Sequence, residues 1–111
     1  WPGGPSVAAG LDGYLRPATP RAIVARMLRN LKEIHRAQED WPRMLATQNR
    51  LIILLPQGWA EYRDRGLVHA ELGDVGAAVR DLETYLRHAH NQPDRGAIRS
   101  RLAELRGAQP D

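Results

Sequence analysis

Trp59-Ala60-Glu61-Tyr62-Arg63-Asp64-Arg65-Gly66-Leu67-Val68-His69-Ala70-Glu71-Leu72-Gly73-Asp74-Val75-Gly76-Ala77-Ala78-Val79-Arg80-Asp81-Leu82-Glu83-Thr84-Tyr85-Leu86 decides the reading of this chain. It can be laid over the stretch beginning at Ala25 with an offset of 34 residues. The pairs Leu28/Tyr62, Ile34/Val68, Trp41/Val75, Leu45/Val79, Leu51/Tyr85 and Ile52/Leu86 then fall in register, with the identities Arg29/Arg63, His35/His69 and Asp40/Asp74. Apolar residues recur with helical spacing in both copies, and no stretch alternates with the period of two that a strand requires.

Working outward, Gly73 closes one helix of about Trp59 to Leu72, since glycine best adopts the left-handed conformation after a helix. Asp74 caps the next, about Val75 to His90. Upstream, Thr19 followed by Pro20 is a helix start, with a capping hydroxyl and a proline whose missing N–H does no harm. That helix is expected over about Pro20 to Gln38. Asp40 caps another of about Trp41 to Leu55, stopped by Pro56. Asp94 caps a fifth of about Arg95 to Arg106, ending at Gly107. Ile98, Leu102 and Leu105 form its one apolar stripe, as in a terminal cap with a polar outer face.

A 34-residue helix-turn-helix period is similar to that of the tetratricopeptide repeat. The expected fold is therefore all-α, a right-handed stack of two tetratricopeptide repeats plus a C-terminal capping helix. Its parts are a linker or docking arm (1–18), a first helix pair (19–58), a second (59–92), the capping helix (93–107) and a tail (108–111). Tyr62, Gly66, Ala70, Ala78, Leu82 and Tyr85 sit at or near the signature positions of the second repeat, where Gly66 and Ala78 let the helices approach. The first repeat has Lys32 and Met44 there, so its helices are expected to stand further apart, or Lys32 to snorkel outward. Two repeats fall below the three usually wanted for stability, so the arm, the cap or dimerisation is expected to supply the remainder.

At 111 residues the chain has room for one small domain. The absence of cysteine excludes disulfides, thiolate metal sites and cysteine nucleophiles, and fits a reducing compartment. Leu51 to Leu55 is too short to cross a bilayer. Trp1 to Gly10 lacks the regions of a secretory signal, and the chain opens without methionine. We therefore expect a cytoplasmic part of a longer protein. The net charge is +3 and Lys32 is the only lysine among 16 basic residues, but the bases are spread among 13 acids. Basicity alone is weak support for nucleic-acid binding. Trp1 to Ala18 is rich in Gly and Pro, and within it Leu11, Tyr14 and Leu15 keep a helical spacing suited to one turn docked on the first helix.

The run Thr19-Pro20-Arg21-Ala22-Ile23-Val24-Ala25-Arg26-Met27-Leu28-Arg29-Asn30-Leu31-Lys32 carries a more specific likeness, with Tyr62-Arg63-Asp64-Arg65-Gly66-Leu67 and Ala78-Val79-Arg80-Asp81-Leu82-Glu83-Thr84-Tyr85-Leu86. The ending Ala97-Ile98-Arg99-Ser100-Arg101-Leu102-Ala103-Glu104-Leu105 extends it. Together they resemble the C-terminal part of a bacterial family that joins a transglutaminase-like domain to tetratricopeptide repeats, described as a regulator of invasion-gene expression. The resemblance implies a module that packs on its own transglutaminase-like domain, presents a groove to a partner, or does both. It carries over no catalytic residue, because that chemistry belongs to the other domain and needs a cysteine. No enzyme activity of this chain is expected.

In a stacked array the first helix of each pair lines the concave surface. This places Arg26, Arg29, Glu33, Arg36 and Ala37 beside Ala60, Arg63, Leu67, Ala70 and Glu71, with Arg29 and Arg63 side by side. Guanidinium groups in a groove favour an acidic peptide through bidentate hydrogen bonds, and Asn30 suits peptide amides. The partner-binding candidates are Arg26, Arg29, Asn30, Glu33, Arg36, Arg63, Leu67 and Glu71. The competing reading pairs these arginines with neighbours such as Glu33 and Asp64.

His35 and His69 recur at the repeat offset but occupy aromatic packing positions, with nothing to complete a coordination set, so no metal or cofactor is expected. His88 and His90 lie near a helix C-terminus, where capping accounts for them. Trp41, Trp59, Tyr62 and Tyr85 read as core. Glu39/Asp40 and Asp81/Glu83 read as caps and exposed charge, and no nucleotide-binding or hydrolase motif occurs. The competing function classes are nucleic-acid binding through the basic faces, and the accessory part of an enzyme whose active site lies in another domain.

Overall fold

The computed structural model describes residues 18–109. The turn expected at Leu11, Tyr14 and Leu15 lies outside them. Five helices follow one another: α1 (Pro20–Ala37), α2 (Trp41–Leu54), α3 (Trp59–Glu71), α4 (Val75–His88) and α5 (Arg95–Ala108). Each packs chiefly on the helices before and after it in sequence. The result is an all-α stack of two helix pairs closed by α5.

The local chemistry of the turns repeats with the sequence. After α1, the Glu39 and Asp40 N–H groups donate to Arg36 O at 3.0 Å and His35 O at 2.9 Å; after α3, Gly73 and Asp74 donate to Ala70 O at 3.1 Å and His69 O at 2.9 Å. This is the Schellman arrangement, which needs one residue at positive φ. Glycine supplies it at Gly73 (φ 82), whereas the first repeat holds Glu39 at φ 53. Asp40 and Asp74 then cap α2 and α4, accepting from the N–H groups of Arg43 and Ala77. Thr19 Oγ1 caps α1 from Ala22 N–H at 3.1 Å.

The helix ends differ from expectation by a residue or two. α4 stops at His88 rather than His90; the Arg95 guanidinium donates to the carbonyls of Leu86 (2.7 Å) and Ala89 (2.6 Å) at this end, and His88 Nδ1 lies 3.0 Å from Thr84 O. α5 continues through Gly107 to Ala108, so the tail begins later than expected. Gln109 ends it in an extended conformation, as the residue before Pro110 must. Asp94 makes no side-chain cap at α5 and is recruited elsewhere.

Repeat 2 and the cap share one apolar core of Ala78, Val79, Leu82, Tyr85, Ala89, Ile98, Leu102 and Leu105. Gly66 is required there: a Cβ would lie 2.9 Å from Leu82 Cδ2 and 3.1 Å from Asp81 Cβ. The interior beneath repeat 1 is different. Ala25, Met44, Leu51 and Ile52 are buried beside Lys32, Thr47, Gln48, Glu61 and Asp64.

Lys32 does not snorkel outward. It is buried, and its Nζ donates to Glu61 Oε1 at 2.7 Å and Asp64 Oδ2 at 3.0 Å, tying α1 to α3. Two carboxylates in reach make an inward lysine the cheaper state, since a buried charge is tolerated only when paired. At the position matching Leu82 stands Gln48, which has no branch at Cγ and so leaves room for the lysine that Gly66 replaces in the other repeat.

Candidate functional site: the concave cleft

A cleft of about 400 Å³ lies between α1, α2, α3 and α5. Trp41, Met44, Leu67 and Val68 form its apolar part, Arg36, Arg63 and Arg101 its cationic rim, and Asp64 and Glu71 its acids. Trp41 is only half-buried, so it belongs to this cleft rather than to the closed core expected for it.

Electrostatics hold the rim in place. Arg63 donates to Asp64 Oδ1 at 2.9 Å and Asp94 Oδ2 at 3.0 Å, and its guanidinium lies 5.5 Å from the centre of the Tyr85 ring. Partial burial works against its charge, but the bonds and attraction of Asp64, then Asp94, outweigh this and hold its pKa above the ordinary arginine value. Asp94 also accepts the Tyr85 hydroxyl. That hydroxyl first, and Arg63 second, hold its carboxyl below the ordinary value. Burial, then the same bond to Asp94, pushes the Tyr85 phenol up. Arg36 spans Glu33 at 3.0 Å and Asp64 at 3.3 Å.

Of the sequence candidates, the structure brings Arg36, Arg63, Leu67 and Glu71 together in the cleft. Glu33 contributes indirectly by holding Arg36. Arg29 is not beside Arg63 in one cleft. Its Nε donates to Glu61 Oε2 at 3.3 Å, and it borders a separate depression with Arg21 and the Leu54–Gly58 turn. The buried carboxylates of Glu61 and Asp64 decide this, each drawing the nearest guanidinium. Arg26 and Asn30 are exposed on α1 and do not line the cleft.

Sequence reasoning missed Arg101 as a rim residue because it lies on the capping helix, and missed Met44 and Val68 because each reads as ordinary core. It missed Asp94 because an aspartate before a helix already has an explanation. The repeat offset does signal Trp41, since its counterpart Val75 carries no large side chain. The histidines take other work: His88 stacks on Trp59 with ring centres 3.8 Å apart, and His69 Nε2 lies 3.7 Å from Asp81 Oδ2. His35 Nδ1 is buried without a hydrogen-bond partner.

The tetratricopeptide repeat profile matches residues 31–103, from the last two turns of α1 through α2, α3 and α4 to the middle of α5. The chain belongs to the tetratricopeptide-repeat family. Repeats of this family generally mediate protein–protein interactions. Among curated proteins, the chain is 33% identical over 95 residues to the UPF0162 protein of Xylella fastidiosa (strain Temecula1), covering 86% of this chain and 34% of that protein. It is 32% identical over 92 residues to the UPF0162 protein of Pseudomonas aeruginosa, covering 83% and 34%. To that of Haemophilus influenzae it is 44% identical over 45 residues, covering 40% and 17%. The chain thus spans about a third of the length of the Xylella and Pseudomonas relatives. No solved structure matches.

Among the described residues no helix is long and apolar enough to cross a membrane. No group of three or more His, Asp or Glu side chains among them is placed to hold a metal ion.

Proposed function

We propose that this chain is a protein-interaction scaffold whose concave cleft takes a segment that pairs an apolar anchor side chain with a neighbouring carboxylate. The observation that carries the reading is the pairing of the Trp41, Met44, Leu67 and Val68 surface with a rim of Arg36, Arg63 and Arg101. Arg36 and Arg63 are already engaged by Asp64, so they supply positioned partial charge rather than loose cations. Arg101 is half-exposed and, among the described residues, pairs with Glu104 across one helix turn, a pair worth a few tenths of a kcal/mol, about what a ligand carboxylate readily displaces.

The segment belongs to a separate protein or to a transglutaminase-like domain of a longer, cytoplasmic form of this chain, and the chain itself does no catalysis. Nucleic acid is disfavoured, because the inward arginines are committed to carboxylates and the cleft bears an apolar surface rather than a continuous basic one.

Selection of displayed peptides against the 111-residue chain tests this, with Arg101→Glu and Trp41→Ala as comparators. Wild type should enrich sequences with an acidic residue next to a large apolar one. Arg101→Glu should lose the acidic preference and keep the apolar one, and Trp41→Ala the reverse. Identical enrichment by all three would remove the cleft from the binding site.

A further inference from the structure

Two hollows on this molecule are copies of one another. One, of about 280 Å³ at the end of α4, has Arg63, His88, Ala89, His90 and Gln92 in its wall. The other, of about 560 Å³ at the end of α2, has Arg29, Leu54, Leu55, Pro56 and Gly58. Moved by 34 residues, each of the second five becomes its counterpart in the first. The repeat therefore builds the same hollow twice, each time with an arginine from the first helix of a pair.

What differs is the acid supplied to that arginine. Arg63 donates through Nε to Asp64 Oδ1 at 2.9 Å and through Nη1 to Asp94 Oδ2 at 3.0 Å. Moved back by 34 residues, those two acids become Asn30 and Ala60, which carry no charge. Arg29 is left with Glu61, whose Oε2 takes its Nε at 3.3 Å while Oε1 takes Lys32 at 2.7 Å. Exposure follows the difference: the Arg63 side chain is 29% exposed and that of Arg29 52%. Asp94 is itself held by the Tyr85 hydroxyl, and the counterpart of Tyr85 beside Arg29 is Leu51, which has none to give.

We propose that the hollow beside Arg29 is a second binding site, separate from the cleft, for the carboxylates of an acidic segment of a partner protein. One carboxylate takes the place on Arg29 that Asp94 takes on Arg63. Glu61 is buried and holds Arg29 by Nε, so the outer edge of the guanidinium keeps the fixed direction that carboxylate recognition uses. Arg21 lines the same hollow eight residues earlier, about 12 Å along α1. Two guanidinium groups thus bracket the apolar turn of Leu54, Leu55 and Pro56, a spacing that suits an extended segment with more than one acid.

The arginine Nε–H NMR signals of the isotope-labelled 111-residue chain, followed while acetylated and amidated hexaglutamate is added, test this. The Arg29 signal should shift, and Arg29→Gln should weaken binding about tenfold, the loss of one charge-assisted bond. Ala60→Asp sets a carboxylate in the first turn of α3, where it suits the helix, and should abolish the Arg29 shift by supplying the missing acid from within. Arg101 reports the cleft separately, so a silent Arg101 beside a shifting Arg29 counts against the cleft alone. An unmoved Arg29 overturns the proposal, as does a full shift that persists in Ala60→Asp. Equal shifts at the exposed Arg80 and Arg87 of α4 also overturn it, because attraction is then diffuse. A six-nucleotide single strand that moves Arg29 further than hexaglutamate does overturns it too, the ligand then being a phosphate.

Discussion

The turn after α1 and the turn after α3 use the same hydrogen bonds at the same spacing, yet the interiors beneath them have opposite chemistry. Repeat 2 brings α3 against α4 through Gly66 and Leu82, with apolar contact continuing into the cap. Repeat 1 has Lys32 and Gln48 at those two positions, and both reach forward to Glu61 of the following repeat. The contrast shows that the backbone of this repeat is fixed by its turns and caps, and that its interior can be apolar or ionic provided the polar groups are satisfied.

The largest expected effect separates the two interiors. Lys32→Met leaves Glu61 and Asp64 buried without their one buried cation, with only the more exposed Arg29, Arg36 and Arg63 in reach, and should cost about 3–5 kcal/mol in urea unfolding. Adding Glu61→Gln and Asp64→Asn should restore most of it. A small cost for Lys32→Met alone would show that the exposed arginines already neutralise these acids.

Gly66→Ala should cost about 1–2 kcal/mol, the overpacking against Leu82 and Asp81 being partly offset by alanine's helix preference. The unfolding midpoint checks it, and an unchanged midpoint would mean the apolar interior is looser than the ionic one.

Asp94→Asn probes the link between cleft and cap and should cost about 1 kcal/mol near neutral pH. The Asp94 carboxyl is held below its ordinary 3.8, so its contribution is complete above that value and is lost as pH falls through the lower folded value. The stability gap between wild type and variant should therefore be flat near neutrality and close in strong acid. Tyr85 has the opposite sign: its phenol is raised above 10.0, so the stability it gives is complete below that pH and lost as pH rises through the folded value.

The smallest effect compares the two turns directly. Glu39→Gly should stabilise by about 0.5–1 kcal/mol by relieving a non-glycine residue at positive φ, and Gly73→Ala should destabilise by a similar amount. Thermal midpoints of the pair measure it.

Much of the fold was legible in advance because its signals are local. Thr19, Asp40 and Asp74 cap through bonds three residues away, and Gly73 marks its turn by being glycine. The cleft was legible only in part. Arg36, Arg63, Leu67 and Glu71 follow from helix phase, but the separation of Arg29 from Arg63 does not. It depends on Glu61 and Asp64, whose burial arises only when α1 and α2 close over α3. Arg101 comes from a helix that the offset does not cover, and Arg95 reaches back from that same helix to two carbonyls at the end of α4.

The sequence by itself determined the helices, their order, the turn geometry and the family, since period, caps and glycine act within a few residues of chain. The tertiary structure alone decided that Lys32 faces inward, that Asp94 serves Arg63 and Tyr85 rather than its own helix, and which arginines border the cleft. Those choices are made by buried carboxylates competing for cations from separate helices, and that competition exists only once the helices are packed.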